Sequence, residues 1–281
     1  MNLPADDHVH SRFSWDAVAG DLEGTCARAL ELGLPAISFT EHVDLDAWSA
    51  PEGGWTWPAG VRGTIDEHGR FLGAPLEVDA YLAAIERCRT LFPQLRIRSG
   101  IELSEGHRHP AAVRDLLQRG FERVVGSVHS LPDLTAPGNR TEVRGAYDQR
   151  VPLDVVRGYL HEVEVMASGD APFEVLGHID YAARAWPRSA GPLPWDVLEE
   201  QVRHTLSVLA ASGRALEVNT RMPLDLRVVR WWHDVGGAAV AFGSDAHDPT
   251  ELARRFPEVA SAVATCGFRP AEDPTALWGR G

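Results

Sequence analysis

The stretch Asp7-His8-Val9-His10-Ser11 closes an apolar N-terminal segment, and its two histidines stand two residues apart. Side chains on an extended strand alternate between faces, so His8 and His10 point the same way and can grip one cation. The ending recurs along the chain: Glu41-His42, Glu102, His129, His178 and Asp245-Ala246-His247 each follow a short run rich in Val, Ile, Leu, Phe or Gly. A lone histidine is usually a surface residue or a hydrogen-bonded core residue. Six of them at the ends of apolar runs (His8, His10, His42, His129, His178 and His247) make a pattern that chance scatter does not produce. Imidazole and carboxylate donors without thiolate suit zinc, manganese or iron, and so many at one place suggest a cluster of ions.

Read outward from these endings, the apolar runs predict strands at 5–9, 36–40, 96–102, 123–128, 174–177, 215–219 and 238–243. Between them, helical periodicity predicts helices at 17–32, 78–91, 110–119, 153–168, 194–212, 224–236 and 249–266. Strands alternating with helices read as βα units and a mainly parallel sheet. If that sheet closes into a barrel, the C-terminal ends of its strands form one face, where active sites are built, and distant histidines become neighbours. Asn219 ends the remaining strand, where an amide either orients substrate or holds a neighbouring loop.

The chain of 281 residues is long enough for one large α/β domain spanning 1–281, and no linker-like stretch divides it. With 27 Lys and Arg against 40 Asp and Glu, the formal charge is −13. Nonspecific binding to nucleic acid or an anionic membrane needs clustered cations, so neither is expected as a partner. Cys26, Cys88 and Cys266 lie far apart without CxxC spacing and read as buried reduced thiols. The first residues lack a basic region followed by an apolar stretch, and no run approaches a membrane span, so a soluble cytoplasmic protein is expected.

Two long connections break the alternation. Residues 45–77 carry Trp48, Trp55 and Trp57 among prolines and glycines, and residues 131–152 carry Asp133, Arg140, Arg144 and Arg150. Such loops form lids or specificity walls, or else a Trp cluster that simply packs loop on barrel. Ser11, Ser127, Ser130 and Ser244 lie near histidines, but no GxSxG elbow is present, and a histidine occupied by metal cannot serve as a serine's base. Gly53-Gly54 lacks the Gly-Lys-Ser/Thr of a phosphate-cradling loop.

Taken in order, Asp7-His8-Val9-His10-Ser11, Ile37-Ser38-Phe39-Thr40-Glu41-His42, Gly100-Ile101-Glu102, Gly126-Ser127-Val128-His129, Leu176-Gly177-His178-Ile179-Asp180, Leu216-Glu217-Val218-Asn219-Thr220 and Gly243-Ser244-Asp245-Ala246-His247 span nearly the whole chain. The set resembles the PHP (polymerase and histidinol phosphatase) superfamily, and within it the stand-alone histidinol-phosphate phosphatases. That resemblance implies a distorted (β/α)7 barrel and three divalent cations of zinc, manganese or iron. By the same analogy His8, His10, Glu102 and Asp245 surround one ion, Glu102 bridges to a second held by His129 and His178, and Asp16, His42 and His247 hold a third. Asp16 competes with a helix-starting role. Glu41 and Asp180 alternate away from the proposed ligands and are expected to support them.

A phosphate monoester needs charge neutralisation, activated water and in-line alignment, all of which clustered divalent ions supply. Glu102, Asp245 and His247 are assigned to catalysis, and Arg184 and Asn219 to a small-molecule phosphate ester, Arg184 because a guanidinium fork matches phosphate oxygens. The expected reaction is hydrolysis of L-histidinol phosphate by metal-activated hydroxide. A broader phosphoesterase or phosphodiesterase, a metallohydrolase acting on carbon–nitrogen bonds, and a silent metal-binding module stay as alternatives. Glu102 stands where an amidohydrolase barrel would place a bridging lysine, which favours phosphoester chemistry.

Overall fold

The computed structural model describes residues 3–57 and 59–281. Its first half runs β1 (Asp6–Val9), α1 (Leu22–Leu32), β2 (Ala36–Val43), β3 (Trp48–Ser49), β4 (Gly63–Ile65), β5 (Phe71–Gly73), α2 (Val78–Leu91), β6 (Arg96–Ser104), α3 (Pro110–Leu117) and β7 (Arg123–Ser127). There follow β8 (Ser130–Pro132), β9 (Arg140–Glu142), α4 (Pro152–Ser168), β10 (Val175–Leu176), α5 (Tyr181–Arg184), α6 (Trp195–Ala211) and β11 (Ala215–Asn219). The chain ends with α7 (Leu226–Asp234), β12 (Ala239–Gly243), α8 (Phe256–Thr265), β13 (Phe268–Arg269) and β14 (Trp278–Arg280).

The main sheet is ordered β1-β2-β6-β7-β10-β11-β12-β14-β13, and its first seven strands pair in parallel. Helices return the chain between them and bury their apolar stripes against one face. On α6, for example, Leu198, Val202, Thr205, Leu206 and Leu209 recur at helical spacing and are buried. The other face is narrow. Val125, Val175, Ala215 and Ala241 form a small separate apolar cluster there, and below it Asp7 accepts from Ser38 Oγ at 2.9 Å and from Arg123 at 3.2 Å.

The first and last parallel strands meet. Val9 bridges Ala246, His10 N–H donates to Ala246 O at 2.8 Å, and Asp245 N–H donates to His8 O at 2.8 Å. Asp6 locks this seam, its carboxylate accepting from the backbone N–H of Ser244 at 2.9 Å and of Ala253 at 3.0 Å. Burial pushes the Asp6 carboxyl up to about 7.

Several elements differ from the sequence reading. The helix predicted from residue 17 begins at Leu22, where the Asp21 side chain caps it. Gly20 lies against the Ser11 backbone, so that a Cβ there would stand 2.5 Å from Ser11 C, and residues 17–20 form a turn. The helix predicted over 249–266 is a short 3-10 turn (Pro249–Glu251) followed by α8, because Ala253 (φ 51) and Arg255 (φ 61) are left-handed. The two long connections, read as loops, build a sheet together in the order β4-β5-β3-β9-β8. Trp48 pairs with Arg140 and Ser49 with Thr141 across it, over a buried cluster of Trp15, Trp48 and Phe71. All three cysteines are buried and free. Among the described residues, no helix is long and apolar enough to cross a membrane.

Asp6→Ala leaves two buried backbone donors without an acceptor, each costing about 1–3 kcal/mol. We expect unfolding in urea to show a loss of about 2–4 kcal/mol; an unchanged midpoint would mean that the seam is held without this carboxylate.

Candidate metal centre

The strand endings deliver their polar groups to one place. His8 lies in β1 and His10 just past it, His42 in β2, Glu102 in β6, and His129, His178 and Asp245 each two residues beyond β7, β10 and β12. Glu102 is fully buried at the focus. Its Oε2 lies 3.3 Å from His8 Nε2, 3.5 Å from His10 Nε2 and 2.9 Å from His42 Nδ1. Its Oε1 lies 3.2 Å from His129 Nε2 and 2.6 Å from His178 Nε2. To one side, Asp16 reaches His42 Nε2 at 3.3 Å and His247 Nε2 at 3.1 Å, and Asp245 Oδ1 lies 3.6 Å from His10 Nε2. All nine residues read from the sequence as ligands therefore share one basin. His129 also stands with His42 and Glu102, and His178 with His8 and Glu102.

These residues fit divalent cations. Glu102 Oε2, Asp16 Oδ1 and His42 Nδ1 are buried without a hydrogen-bond partner, although they lie close to one another's groups. His8 Nε2 and His10 Nε2 face each other at 3.1 Å. Crowded, unsatisfied lone pairs are what cations resolve, and a donor set of imidazoles with carboxylates suits zinc, manganese or iron. Four overlapping sets of three such groups meet the geometric condition for holding an ion, namely His8-His10-Asp245, His8-Glu102-His178, His42-Glu102-His129 and His10-His42-His247.

Behind the cluster stand groups that fix each ring. Glu217 Oε1 accepts from His8 Nδ1 at 2.8 Å, and its Oε2 from the His178 backbone N–H at 2.5 Å. Gly243 makes room for that carboxylate: a Cβ at this position would stand 2.0 Å from Glu217 Oε1. His129 Nδ1 meets Ser104 Oγ at 2.6 Å and Asp44 Oδ1 at 3.1 Å. Ser14 Oγ lies 2.9 Å from His10 Nδ1 and donates to Glu41 at 2.6 Å, so Glu41 supports a ligand as expected, through a serine. Sequence reasoning did not single out Glu217, Asp44 or Ser104. Glu217 alone carried a signal, a charged residue in an otherwise apolar strand two positions before Asn219.

The charges interlock. Burial disfavours imidazolium at His8 and His129, yet Glu217 and Glu102 hold His8 well above its ordinary range, and Glu102 with Asp44 holds His129 up to about 10. Burial together with the His42 and His247 charges pushes His10 well below its usual range. Burial would raise Glu102, but the surrounding histidines outweigh it and keep the carboxyl ionised.

Above the cluster opens a cavity of about 400 Å³. Arg184 lines it, with its guanidinium 3.3 Å from both Asp180 Oδ1 and Asp245 Oδ2. Arg221 lines it too, reaching Asp245 Oδ1 at 3.4 Å and His247 Nδ1 at 2.9 Å. Asn219 does not reach the cavity. It is fully buried, donates to Glu217 and Asp245, and accepts from the Arg221 N–H at 3.0 Å, which is the geometry of a holder of neighbouring groups.

Glu217→Gln keeps the shape and removes the charge behind His8; we expect metal affinity about 10- to 100-fold weaker by competition with a chelating dye. Metal must also displace the protons that Glu102 and Asp44 hold on His129 below about pH 10. Affinity should therefore rise with pH across the neutral range, with protons released on uptake. Calorimetry in buffers of different ionisation enthalpy measures that release, and pH-independent uptake would contradict it.

Comparison with known proteins agrees with this geometry. The family model described as PHP domain matches residues 6–221. A histidinol-phosphatase from Lactococcus lactis is 25% identical over 251 residues, covering 86% of this chain and 83% of its own. A protein named "Probable histidinol-phosphatase" from Deinococcus radiodurans is 27% identical over 283 residues, covering 94% of each chain. The crystal structure of histidinol phosphate phosphatase from Lactococcus lactis, complexed with zinc, L-histidinol and phosphate, matches with a TM-score of 0.77 and 22% identity. That match covers 95% of this chain and 94% of the other, and at such identity it speaks for the fold. With a family match that runs from the first parallel strand to Arg221 and takes in most of the strand-end ligands, this chain belongs to the PHP domain family.

Proposed function

We infer that this chain is a metal-dependent phosphomonoesterase that hydrolyses L-histidinol phosphate to L-histidinol and phosphate, as in histidine biosynthesis. The observation that carries this reading is the buried Glu102 ringed by five imidazoles beneath a cavity lined by Arg184 and Arg221. The names of the full-length relatives support the choice of ester.

His8, His10, Asp16, His42, Glu102, His129, His178, Asp245 and His247 would hold the cations, three by our reading, of zinc, manganese or iron. When bound, such cations acidify water and neutralise charge on the phosphoryl group. In the net reaction a water oxygen bonds to phosphorus, the bond from phosphorus to the alkyl oxygen breaks, and a proton passes to that oxygen. Arg184 and Arg221 hold Asp245 from two sides and present the remaining guanidinium hydrogens to the cavity, where they would orient phosphoryl oxygens. Although burial opposes ionisation, His8, His247 and Arg221 keep Asp245 a carboxylate, so it serves as anchor rather than proton donor. Glu102, ionised between the imidazoles, would offer its oxygens to the cations. His247 Nδ1 stands between Arg221 and the Asp245 carbonyl, able to accept from the first or donate to the second according to its tautomer, and Nε2 faces Asp16.

The same reading takes residues 1–281 as one domain and the seven parallel strands as a distorted (β/α)7 barrel. It is supported by a core cluster running from Val9 to Trp278 and by the seam between β1 and the end of β12. The same reading takes the protein to be cytoplasmic, which three buried cysteines without disulfides support.

Phosphate release from L-histidinol phosphate by the metal-loaded protein tests the proposal, with glycerol phosphate and a phosphodiester as controls. We expect turnover that a chelator abolishes and that zinc or manganese restores, and at least a 1,000-fold loss in Glu102→Gln together with its metal content, roughly the cost of a missing charge stabiliser. Strong preference for another ester would change the substrate alone; turnover by metal-free protein would end the mechanism.

A further inference from the structure

Among the described residues, four carboxylates line the cavity: Asp16, Glu102, Asp245 and Glu142. The first three belong to the cluster. Glu142, at the end of β9 in the small sheet, touches none of it. A carboxylate near a site for phosphate repels the substrate unless it meets positive charge elsewhere on the same molecule.

The surroundings of Glu142 leave its charge poorly neutralised. Oε1 accepts from the Tyr181 hydroxyl at 3.1 Å and Oε2 from the Arg144 backbone N–H at 2.8 Å. The Arg144 guanidinium stands 3.8 Å away, but its side chain is 69% exposed, against 7% for Glu142. Arg144 also lines the cavity, and its charge and backbone N–H favour the carboxylate, yet burial outweighs them and pushes the Glu142 carboxyl above its usual range.

Its position suits the far end of an ester. The Tyr181 ring packs 5.1 Å from the centroids of both His129 and His178. The Tyr181 hydroxyl therefore sets Glu142 one phenol ring away from the cluster, where a leaving group extends if its phosphorus lies over the cations. Trp48 and Trp57 line the same cavity, and their indole N–H groups are buried without partners. Aromatic rings in the same cavity as a carboxylate suit an organic cation.

We propose that Glu142 is a specificity-determining residue that reads positive charge on the leaving group, so that the enzyme prefers phosphate monoesters of amino alcohols to those of neutral alcohols. This rests on the phosphomonoesterase reading above. The decisive measurement is kcat/KM of wild type and Glu142→Gln, both loaded with zinc or manganese, on L-histidinol phosphate, glycerol phosphate and 4-nitrophenyl phosphate. The ratio of L-histidinol phosphate to glycerol phosphate should fall about 10- to 100-fold in the variant, mostly through KM, the range for losing one charged hydrogen bond. Inhibition by L-histidinol should weaken by a similar factor relative to inhibition by inorganic phosphate, which serves as the internal reference for a folded site.

An unchanged ratio overturns the proposal. Equal losses on all three esters overturn it in favour of a structural role. Losses on both alkyl esters that spare 4-nitrophenyl phosphate, whose leaving group needs no proton, overturn it in favour of general acid catalysis. If wild type releases phosphate from none of the three, the phosphomonoesterase reading fails and takes this inference with it; wild-type turnover without a change of ratio removes the role of Glu142 alone.

Discussion

One buried carboxylate within reach of five imidazoles is the constraint around which the molecule is arranged. Glu102 cannot neutralise that many protonated rings, and uncharged rings would leave nitrogen lone pairs facing a carboxylate in a dry interior, where unmet polar groups are costly. Cations satisfy both sets of atoms at once. Each ring must then be held from behind, and the structure spends polar groups on this freely: Glu217 behind His8, Asp44 and Ser104 behind His129, and Ser14 with Glu41 behind His10.

The strand order puts these groups within reach. Because the seven strands run in parallel, all their C-terminal ends point one way, and the helices that return the chain are kept out of the basin. Acidity of the whole chain and cation binding at its centre then act in the same sense. The cavity, however, is locally mixed, with Arg144, Arg184 and Arg221 lining it together with Glu142. Net charge describes none of this, since buried partners only a few ångström apart outweigh distant surface charges.

Much of this was legible in the chain. The period of two between His8 and His10, and apolar runs ending in histidine, placed the strands and their common face; β11 and α2 agree with the prediction residue for residue. What escaped was set by contacts between distant segments. The pairing of Trp48 with Arg140 joins residues about ninety positions apart, and two- or three-residue strands carry no periodicity of their own. The late start of α1 follows from Gly20 lying on the Ser11 backbone, which no local propensity announces. Glu217 looked like one charged residue in an apolar strand, and only the approach of His8, across 209 positions, gives it a purpose.

The seam has a consequence for biosynthesis. His8 and His10 are made long before Asp245 and His247, and the backbone bonds from His8 and His10 run to Asp245 and Ala246. A nascent chain therefore carries an incomplete set of chelating groups until the segment with Asp245 and His247 has emerged. Only then can the last parallel strand close onto the first, so the ligand set is completed by the same contact that closes the sheet.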